Sequence, residues 1–246
     1  MSGRLVPSDR APGLHVEPGV VVPDDADIAP HVTIYAGVSL GAGVSLGQGA
    51  IIGRPQRIDD RNRSPRREPG DVTLIGDRCQ VGSYTVVTAG AEIGRSAYLG
   101  DHVAIRETAW VGEEAMVGRF SVVGTNARIG ARTRLYGWVL VAHWTALGED
   151  VAVGPQAVFL TDSTMGRRPA GVGGVDGGGK GRTVARRGSR IGAGAIIFPA
   201  VEIGEEAVVG AGALVREDVP ERTVVGGKEA RTLRNVREDE LLERWS

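Results

Sequence analysis

The sequence is poor in the features that stabilise most secreted and large globular domains. Its 246 residues include one cysteine, Cys79, so no disulfide can form within the chain, and aromatic residues make up only 4%. The formal charge at pH 7 is −1, which gives no electrostatic preference for nucleic acid or a membrane surface. No apolar run approaches the ~20 residues that cross a bilayer.

Each shortage narrows the class of protein. A lone cysteine is typical of a reducing compartment, and residues 1–17 contain no apolar stretch like that of a signal peptide. We therefore expect a soluble, cytoplasmic protein whose residues 1–17 are disordered. Few large side chains disfavour a core built around aromatic rings, whereas 38 glycines indicate many tight corners.

A six-residue repeat replaces those missing features. From Ile75 to Val153 every sixth residue is isoleucine, leucine or valine, fourteen positions in succession, and ten of them are followed by glycine. The residue two places before each aliphatic is never larger than valine. The same phase runs from Val22 to Ile52 and returns between Ile191 and Val215.

The repeat predicts an all-β, parallel β-helix. Residues two apart in a strand share one face, so the small residue and the aliphatic both point inward, and the glycine that follows is expected at a corner. Three such strands make a triangular coil of 18 residues, and stacked coils pair through parallel ladders. We predict that the β-helix spans residues 18–216, followed by an extension, 217–246, with a capping helix from Asn235 to Trp245.

Two interruptions of the period predict loops that leave the corners. They separate Ile52 from Ile75 and Phe159 from Ile191, and we assign them to residues 53–74 and 160–184. The first loop is rich in arginine and can either contact substrate or be a solvated charged loop. The second contains a glycine-rich run, but no strand–loop–helix pattern surrounds it, which disfavours a phosphate-binding loop.

One corner column carries the candidate chemistry. Residues 18 apart should stack, which predicts that Glu107, Asn126, His143 and Asp162 line one edge of the prism. Histidine suits a general base because its pKa lies near neutrality, and a neighbouring carboxylate can orient its ring. We therefore predict His143, Asn126 and Asp162 as catalytic residues. Cys79 occupies a core position and is interpreted as structural.

Several segments then show a family resemblance, which extends over about residues 20–232. Residues 141–148 resemble the histidine hexad of the bacterial UDP-N-acetylglucosamine O-acyltransferases, and the loop after Ile52 resembles the first loop of that family. Residues 191–195 and 209–213 resemble late coils of acetyl-CoA-dependent relatives, as do 218–220 and 225–231, where Glu229 replaces the usual proline. Residues 158–162 with Arg167 and Arg168 resemble the nucleotide-sugar N-acetyltransferases.

The resemblance implies more than the residues alone show. It implies a left-handed β-helix, a homotrimer with active sites between subunits, and acetyl-CoA as co-substrate without a metal. The small residues Gly194, Ala195, Gly212 and Ala213 would let the pantetheine arm approach. The implied phosphate contacts are Arg186, Lys228 and Arg231, and the implied contacts to an amino-sugar or nucleotide-sugar acceptor are Glu107, Arg167 and Arg168.

Alternatives remain at the level of sequence. The acceptor can be an amine or a hydroxyl, and the donor can be acetyl-CoA or a longer acyl group on CoA or acyl carrier protein. A carbonic anhydrase-like metal enzyme on this fold needs three histidines around one ion, and His102 and His143 are out of phase for that. A non-catalytic β-helix scaffold would not bind CoA.

Overall fold

The computed structural model describes residues 6–56, 72–161, 182–228, 231–238 and residue 241. It is a parallel β-helix of thirty short strands in three sheets, consistent with the predicted left-handed form. Strands paired across successive coils are related by 18 residues, as Val86 with Ala104 and Ala104 with Val122. The six-residue period therefore predicted both the sheet register and the length of the coil.

Sheet A has 11 strands, and the candidate site lies at one edge of this sheet. Its strands are β1 Val6–Ser8, β2 Leu14–Val16, β4 Thr33–Ile34, β7 Ile51–Arg54, β10 Val86–Thr88, β13 Ala104–Ile105, β16 Val122–Val123, β19 Leu140–Val141, β22 Val158–Phe159, β25 Ile196–Ile197 and β28 Leu214–Val215.

Sheet B also has 11 strands and precedes sheet A within each coil. Its strands are β3 Asp27–Ile28, β6 Ser45–Leu46, β9 Gln80–Val81, β12 Tyr98–Leu99, β15 Met116–Val117, β18 Arg134–Leu135, β21 Ala152–Val153, β24 Arg190–Ile191, β27 Val208–Val209, β29 Thr223–Gly226 and β30 Arg231–Asn235.

Sheet C has eight strands and follows sheet A within each coil. Its strands are β5 Val38–Leu40, β8 Thr73–Ile75, β11 Glu92–Ile93, β14 Trp110–Val111, β17 Arg128–Ile129, β20 Ala146–Leu147, β23 Val184–Ala185 and β26 Glu202–Ile203. Three corners thus run along the prism: the B–A corner, the A–C corner and the C–B corner.

The interior is a single column of aliphatic and small side chains. Phe159 is the largest fully buried residue, and Cys79 is fully buried among the aliphatics, as predicted. The Cys79 thiol donates to the carbonyl of Gly94, and burial raises the pKa of the thiol. Buried hydroxyls are satisfied similarly: Thr85 donates to the Gly100 carbonyl and accepts the Val103 N–H. These hydroxyls tie one coil to the next.

The glycines that follow the inward aliphatics lie at corners, as predicted, where successive coils pack closely. At Gly124 a Cβ would lie 2.6 Å from the backbone nitrogen of His143, so glycine is required there because two coils approach closely. Left-handed backbone occurs two residues later, at positions such as Phe120, Asn126 and Trp138, whose φ values are 58°, 57° and 66°. Most of these corners tolerate the conformation without glycine.

The ends of the chain depart from prediction. Residues from Val6 onward are not disordered, since β1 and β2 pair and Leu14 is fully buried. Parallel pairing continues past 216, because β29 adds to β27 and β30 returns antiparallel to β29. No described residue is in an α-helix, and Asn235 ends a strand; most of the predicted helix lies outside the described residues.

Strands extend into both predicted loops, 53–74 and 160–184, so the segments between the strands are shorter than predicted. Strand β7 continues to Arg54 and β8 begins at Thr73, while residues 57–71 lie outside the described part. Strand β22 ends at Phe159, and residues 162–181 also lie outside the described part of the chain. In the described part of the chain, no helix is long and apolar enough to cross a membrane.

Candidate active site

His143 stands on the A–C corner directly after strand β19. Its ring is half-buried, and its Nδ1 accepts the backbone N–H of Thr125 at 3.0 Å. Thr125 occupies the equivalent position one coil below, 18 residues earlier. A backbone N–H can only donate, so Nδ1 carries the lone pair and the neutral ring holds its proton on Nε2.

Glu107 continues the same column one coil below Thr125. Its side chain is buried, with the residue 3% exposed, and its Oε2 accepts the Thr125 hydroxyl at 3.1 Å. The Nε of Arg106 donates to the same carboxylate oxygen at 3.1 Å. His143, Thr125, Glu107 and Arg106 thus form one continuous hydrogen-bonded column, which we call the His143 column.

The electrostatics of the column favour neutral imidazole. Burial is the main cause that lowers the pKa of His143, and the Arg106 guanidinium lowers it further. The Glu107 carboxylate opposes both by raising the pKa of the ring. A histidine held neutral near physiological pH retains a lone pair that can accept a proton.

Asn126 lies beside this column rather than within it. The Thr108 hydroxyl donates to the Asn126 side-chain oxygen, and both residues belong to the adjacent line of corner positions. Among the described residues, the structure shows no hydrogen bond between Asn126 and His143. Sequence phase assigned Asn126 to the edge but missed Thr125, the residue that shares the exact 18-residue register with His143.

One predicted catalytic residue and two predicted acceptor contacts fall in the gap after Thr161. Asp162, Arg167 and Arg168 lie outside the described residues. Trp144, next to His143, has an indole N–H that is buried and that no described residue satisfies. Thr161 is the last described residue before that gap, one coil above His143.

The predicted cofactor residues fall at three different places. Gly194 and Gly212 lie on the B–A corner with open space around them, whereas Ala195 and Ala213 are fully buried and face the core. Only the backbone of those alanines can contribute to a binding surface. Lys228 is exposed near the end of the described solenoid.

Arg186 forms an ion pair away from the other predicted cofactor residues. It lies on the C–B corner, where its Nε pairs with Glu202 at 2.8 Å, and the surrounding cavity of about 430 Å³ is also lined by Glu205 and Glu221. Its guanidinium already donates two hydrogen bonds to the Glu202 carboxylate, so the position of Arg186 does not favour the predicted phosphate contact.

A larger cavity of about 580 Å³ opens at the end of the solenoid, between β28 of sheet A and β29 and β30 of sheet B. Its lining includes Arg216, which the sequence analysis missed, and Arg231, which it predicted, together with Glu217 and Asp218. Arg216 follows strand β28, three coils above His143, and its guanidinium lies 5.0 Å from the centre of the Phe198 ring. The cavity therefore lies at the end of the solenoid, and Arg216 marks its A–C side, about 14 Å from His143 along the axis at ~4.8 Å per coil.

No group of three histidine, cysteine, aspartate or glutamate side chains within the described ranges comes close enough to hold a metal ion.

Comparisons with known proteins agree with this architecture. A family model for the hexapeptide repeat of succinyl-transferase matches residues 187–216. A Schizosaccharomyces pombe protein named as an acetyltransferase is 46% identical over 46 residues, which is 19% of this chain and 22% of that protein.

Solved structures extend the comparison to the whole solenoid. The UDP-N-acetylglucosamine acyltransferase from Campylobacter jejuni aligns over 93% of this chain and 74% of its own, at 19% identity and a TM-score of 0.50. A hexapeptide-repeat acetyltransferase from Vibrio cholerae, complexed with acetyl coenzyme A, aligns over 67% of this chain and 71% of its own, at 22% identity and a TM-score of 0.37. The six-residue period through three sheets and the matching repeat model show that the chain carries hexapeptide repeats, and its fold resembles that of the Campylobacter jejuni enzyme.

Proposed function

We propose that this protein is an acyltransferase that moves an acetyl group from acetyl-CoA to an amino group of a nucleotide-linked sugar, with His143 as general base. The observation that supports it is the His143 column: a half-buried, neutral imidazole on the corner that carries, three coils above, Arg216 at the edge of a cavity. The match to the hexapeptide repeat of succinyl-transferase covers residues 187–216, in the coils above His143.

The chemistry balances with one base. The amine nitrogen attacks the thioester carbonyl carbon, a C–N bond forms, and the C–S bond breaks to release CoA. The proton lost by the amine passes to His143, which returns a proton to the leaving thiolate. The lowered pKa of His143 keeps the ring able to accept that proton near neutral pH.

The ring orientation adds a requirement to this role. Since Nδ1 accepts the Thr125 N–H, it is the basic nitrogen of the ring, and Nε2 is protonated. To take the proton from the amine, the imidazole exchanges its bond with Thr125 for one with the acceptor. Hydrogen bonds of this kind often rearrange when substrate binds.

The donor would lie along the A–C corner above His143. An extended pantetheine arm reaches roughly as far as four to five extended residues, about 15 Å. That length matches the three coils that separate His143 from the cavity lined by Arg216 and Arg231. Guanidinium groups suit the phosphates of CoA, since they donate paired hydrogen bonds to phosphate oxygens.

We also propose a homotrimer built on sheet A. The outward residues of that sheet are apolar without interruption over eight strands: Ile51, Val86, Ala104, Val122, Leu140, Val158, Ile196 and Leu214. The outward faces of the other two sheets carry charges, such as Arg134 and Arg190 in sheet B and Glu92 and Arg128 in sheet C. A long exposed apolar stripe of this kind marks an interaction surface.

Calorimetry and product analysis test the proposal. We expect purified protein to bind acetyl-CoA and to add an acetyl group, detected by mass spectrometry, to members of a panel of amino-sugar nucleotides. Matched hydroxyl sugars and acyl carrier protein donors form the other arms, and preference for them would replace the amine acceptor or the CoA donor. Absence of CoA binding would favour a non-catalytic scaffold.

A further inference from the structure

The B–A corner, on the opposite edge of sheet A from His143, changes character at one level of the solenoid. Below that level the corner carries four stacked rings, Tyr84, His102, Phe120 and Trp138, with centroid separations of 5.3, 4.8 and 4.3 Å. We call these rings the aromatic ladder. Trp138, its uppermost member, belongs to the same coil as His143 and is 57% exposed.

Above Trp138 the same column becomes Gln156, Gly194 and Gly212. A Cβ at either glycine would meet nothing within 4 Å. Trp138 and Phe120 hold similar positive φ values with large side chains, so the backbone conformation does not demand glycine at the upper positions. The upper half of the corner therefore leaves free space, and the lower half is filled with aromatic rings.

Symmetry relates this corner to the candidate site. A ring of three copies is closed by heterologous contacts, in which one edge of a surface meets the opposite edge of the next copy. If the apolar face of sheet A surrounds the axis, its two edges are the B–A corner and the A–C corner. If the solenoids run parallel to the three-fold axis, each coil of one copy lies at the same height as the equivalent coil of the next copy.

Charge at the two edges fits this arrangement. Asp101 on the B–A corner is exposed, and Arg106 on the A–C corner of the same coil has a side chain that is 34% exposed and that donates to Glu107. Opposite charges at matching heights favour this register of one copy against the next. The next two coils place Phe120 at the height of Thr125 and Trp138 at the height of His143.

We propose that Trp138 of one copy completes the reaction site at His143 of the adjacent copy. Its indole edge forms the lower wall of the cleft, and the glycine half of the same corner forms one side of the donor channel above. This inference rests on the proposed function and names a specificity-determining residue for it. The acetyl group would then lie between a donor channel lined by glycine and a floor made by a tryptophan ring.

A covalent cross-link tests the arrangement without any activity. Asp101 and Arg106 lie at opposite edges of one sheet, five positions apart in extended chain, too far for a disulfide within one copy. The double variant D101C/R106C should therefore oxidise to linked dimers and trimers on a non-reducing gel, while D101C alone should not form trimers. Monomeric product from the double variant would overturn the proposed contact.

Single substitutions then test the role of Trp138. We expect W138A to lower kcat/KM at least tenfold while acetyl-CoA binding stays within about twofold, because the donor contacts lie above the ring. W138F should recover part of the rate. Y84A is the matched control: it removes the lowest ladder ring, which stacks on His102 and lies three coils below Trp138, and it should keep kcat/KM.

Mixed trimers of H143N and W138A give the decisive result. Each mixed ring contains one site with both native residues, so mixed trimers should regain about one third of the wild-type rate. No gain over the average of the two variants would show that the residues do not meet across copies. If the wild-type protein neither binds CoA nor transfers acetyl groups, the proposed function fails, whereas the cross-link still reports on the corner contact.

Discussion

Two corners of the same solenoid use similar residues with opposite results. On the C–B corner, Arg95 pairs with Glu113 at 2.7 Å, Arg132 with Glu149 at 2.7 Å and Arg187 with Glu205 at 3.3 Å, all between exposed side chains. On the A–C corner, Glu107 is buried and joins Arg106, Thr125 and His143. The backbone geometry is shared, so burial is what separates a surface charge ladder from a candidate reaction site.

The difference lies in what each charge can influence. Exposed pairs are screened by water and contribute little to stability. In the buried column the same charges act on His143 through a medium of lower polarity and shift its pKa. Substitutions in the His143 column should therefore have large effects on catalysis, stability or the pKa of His143, whereas substitutions on the C–B corner should have small effects.

The largest effect is expected at His143 itself. Replacing a general base lowers kcat by roughly 10²- to 10⁴-fold, and we expect H143N to show this loss in a steady-state acetyl-transfer assay. Asparagine keeps an oxygen that can accept the Thr125 N–H, so H143N should fold with nearly unchanged Tm. Full activity in H143N would remove the base assignment, because only the proton-accepting ring has been lost.

The next effect is a loss of stability at Glu107. The variant E107A leaves the buried Thr125 hydroxyl and the Arg106 guanidinium without their acceptor, which should cost about 2 kcal/mol in urea unfolding. E107Q retains an acceptor oxygen and should lose less. Equal stability of E107A and the wild type would mean that the column is solvated rather than buried.

A smaller effect concerns pH. Because burial and Arg106 lower the pKa of His143, we expect the acid limb of kcat/KM below the ordinary histidine value of about 6.5. The unfolded chain binds this proton more readily, so the group lowers folding stability as pH falls below about 6.5 and contributes nothing above it.

Charge substitutions should move that midpoint in opposite directions. E107Q removes the charge that raises the pKa of His143 and should lower the NMR titration midpoint, whereas R106Q should raise it. Shifts in the same direction in both variants would show that burial alone controls the ring.

The smallest effect is expected on the C–B corner. E113A removes the partner of Arg95 from a solvent-exposed pair, and we expect no measurable change in Tm or in acetyl transfer. A loss comparable to that of E107A would contradict the distinction between the two corners.

Much of the fold could be predicted because the period is strict. The position of Ile105, Val123 and Val141 at one inward register follows from spacing alone, and the structure pairs them as expected. The ends could not be predicted this way. Residues 6–16 lack the period yet pair through backbone hydrogen bonds, and β30 turns antiparallel, which no six-residue pattern encodes.

The site was only partly within reach of the sequence. Phase placed Glu107 and His143 on one corner, but two adjacent columns exist there, and choosing between Thr125 and Asn126 requires knowing which N–H faces the ring. Arg216 was missed because its importance depends on a cavity formed by the last coils. The roles of Asp162, Arg167 and Arg168 stay predictions.

The two long insertions have a consequence for how such a protein can change. Strands β5 and β8 pair across residues 41–72, and β20 and β23 pair across residues 148–183, in the parallel register used by uninterrupted coils. Length added at a corner therefore leaves the spacing of every other column intact. New recognition segments can therefore be inserted at these two corners, while the distance from His143 to the cavity at the end of the solenoid stays constant.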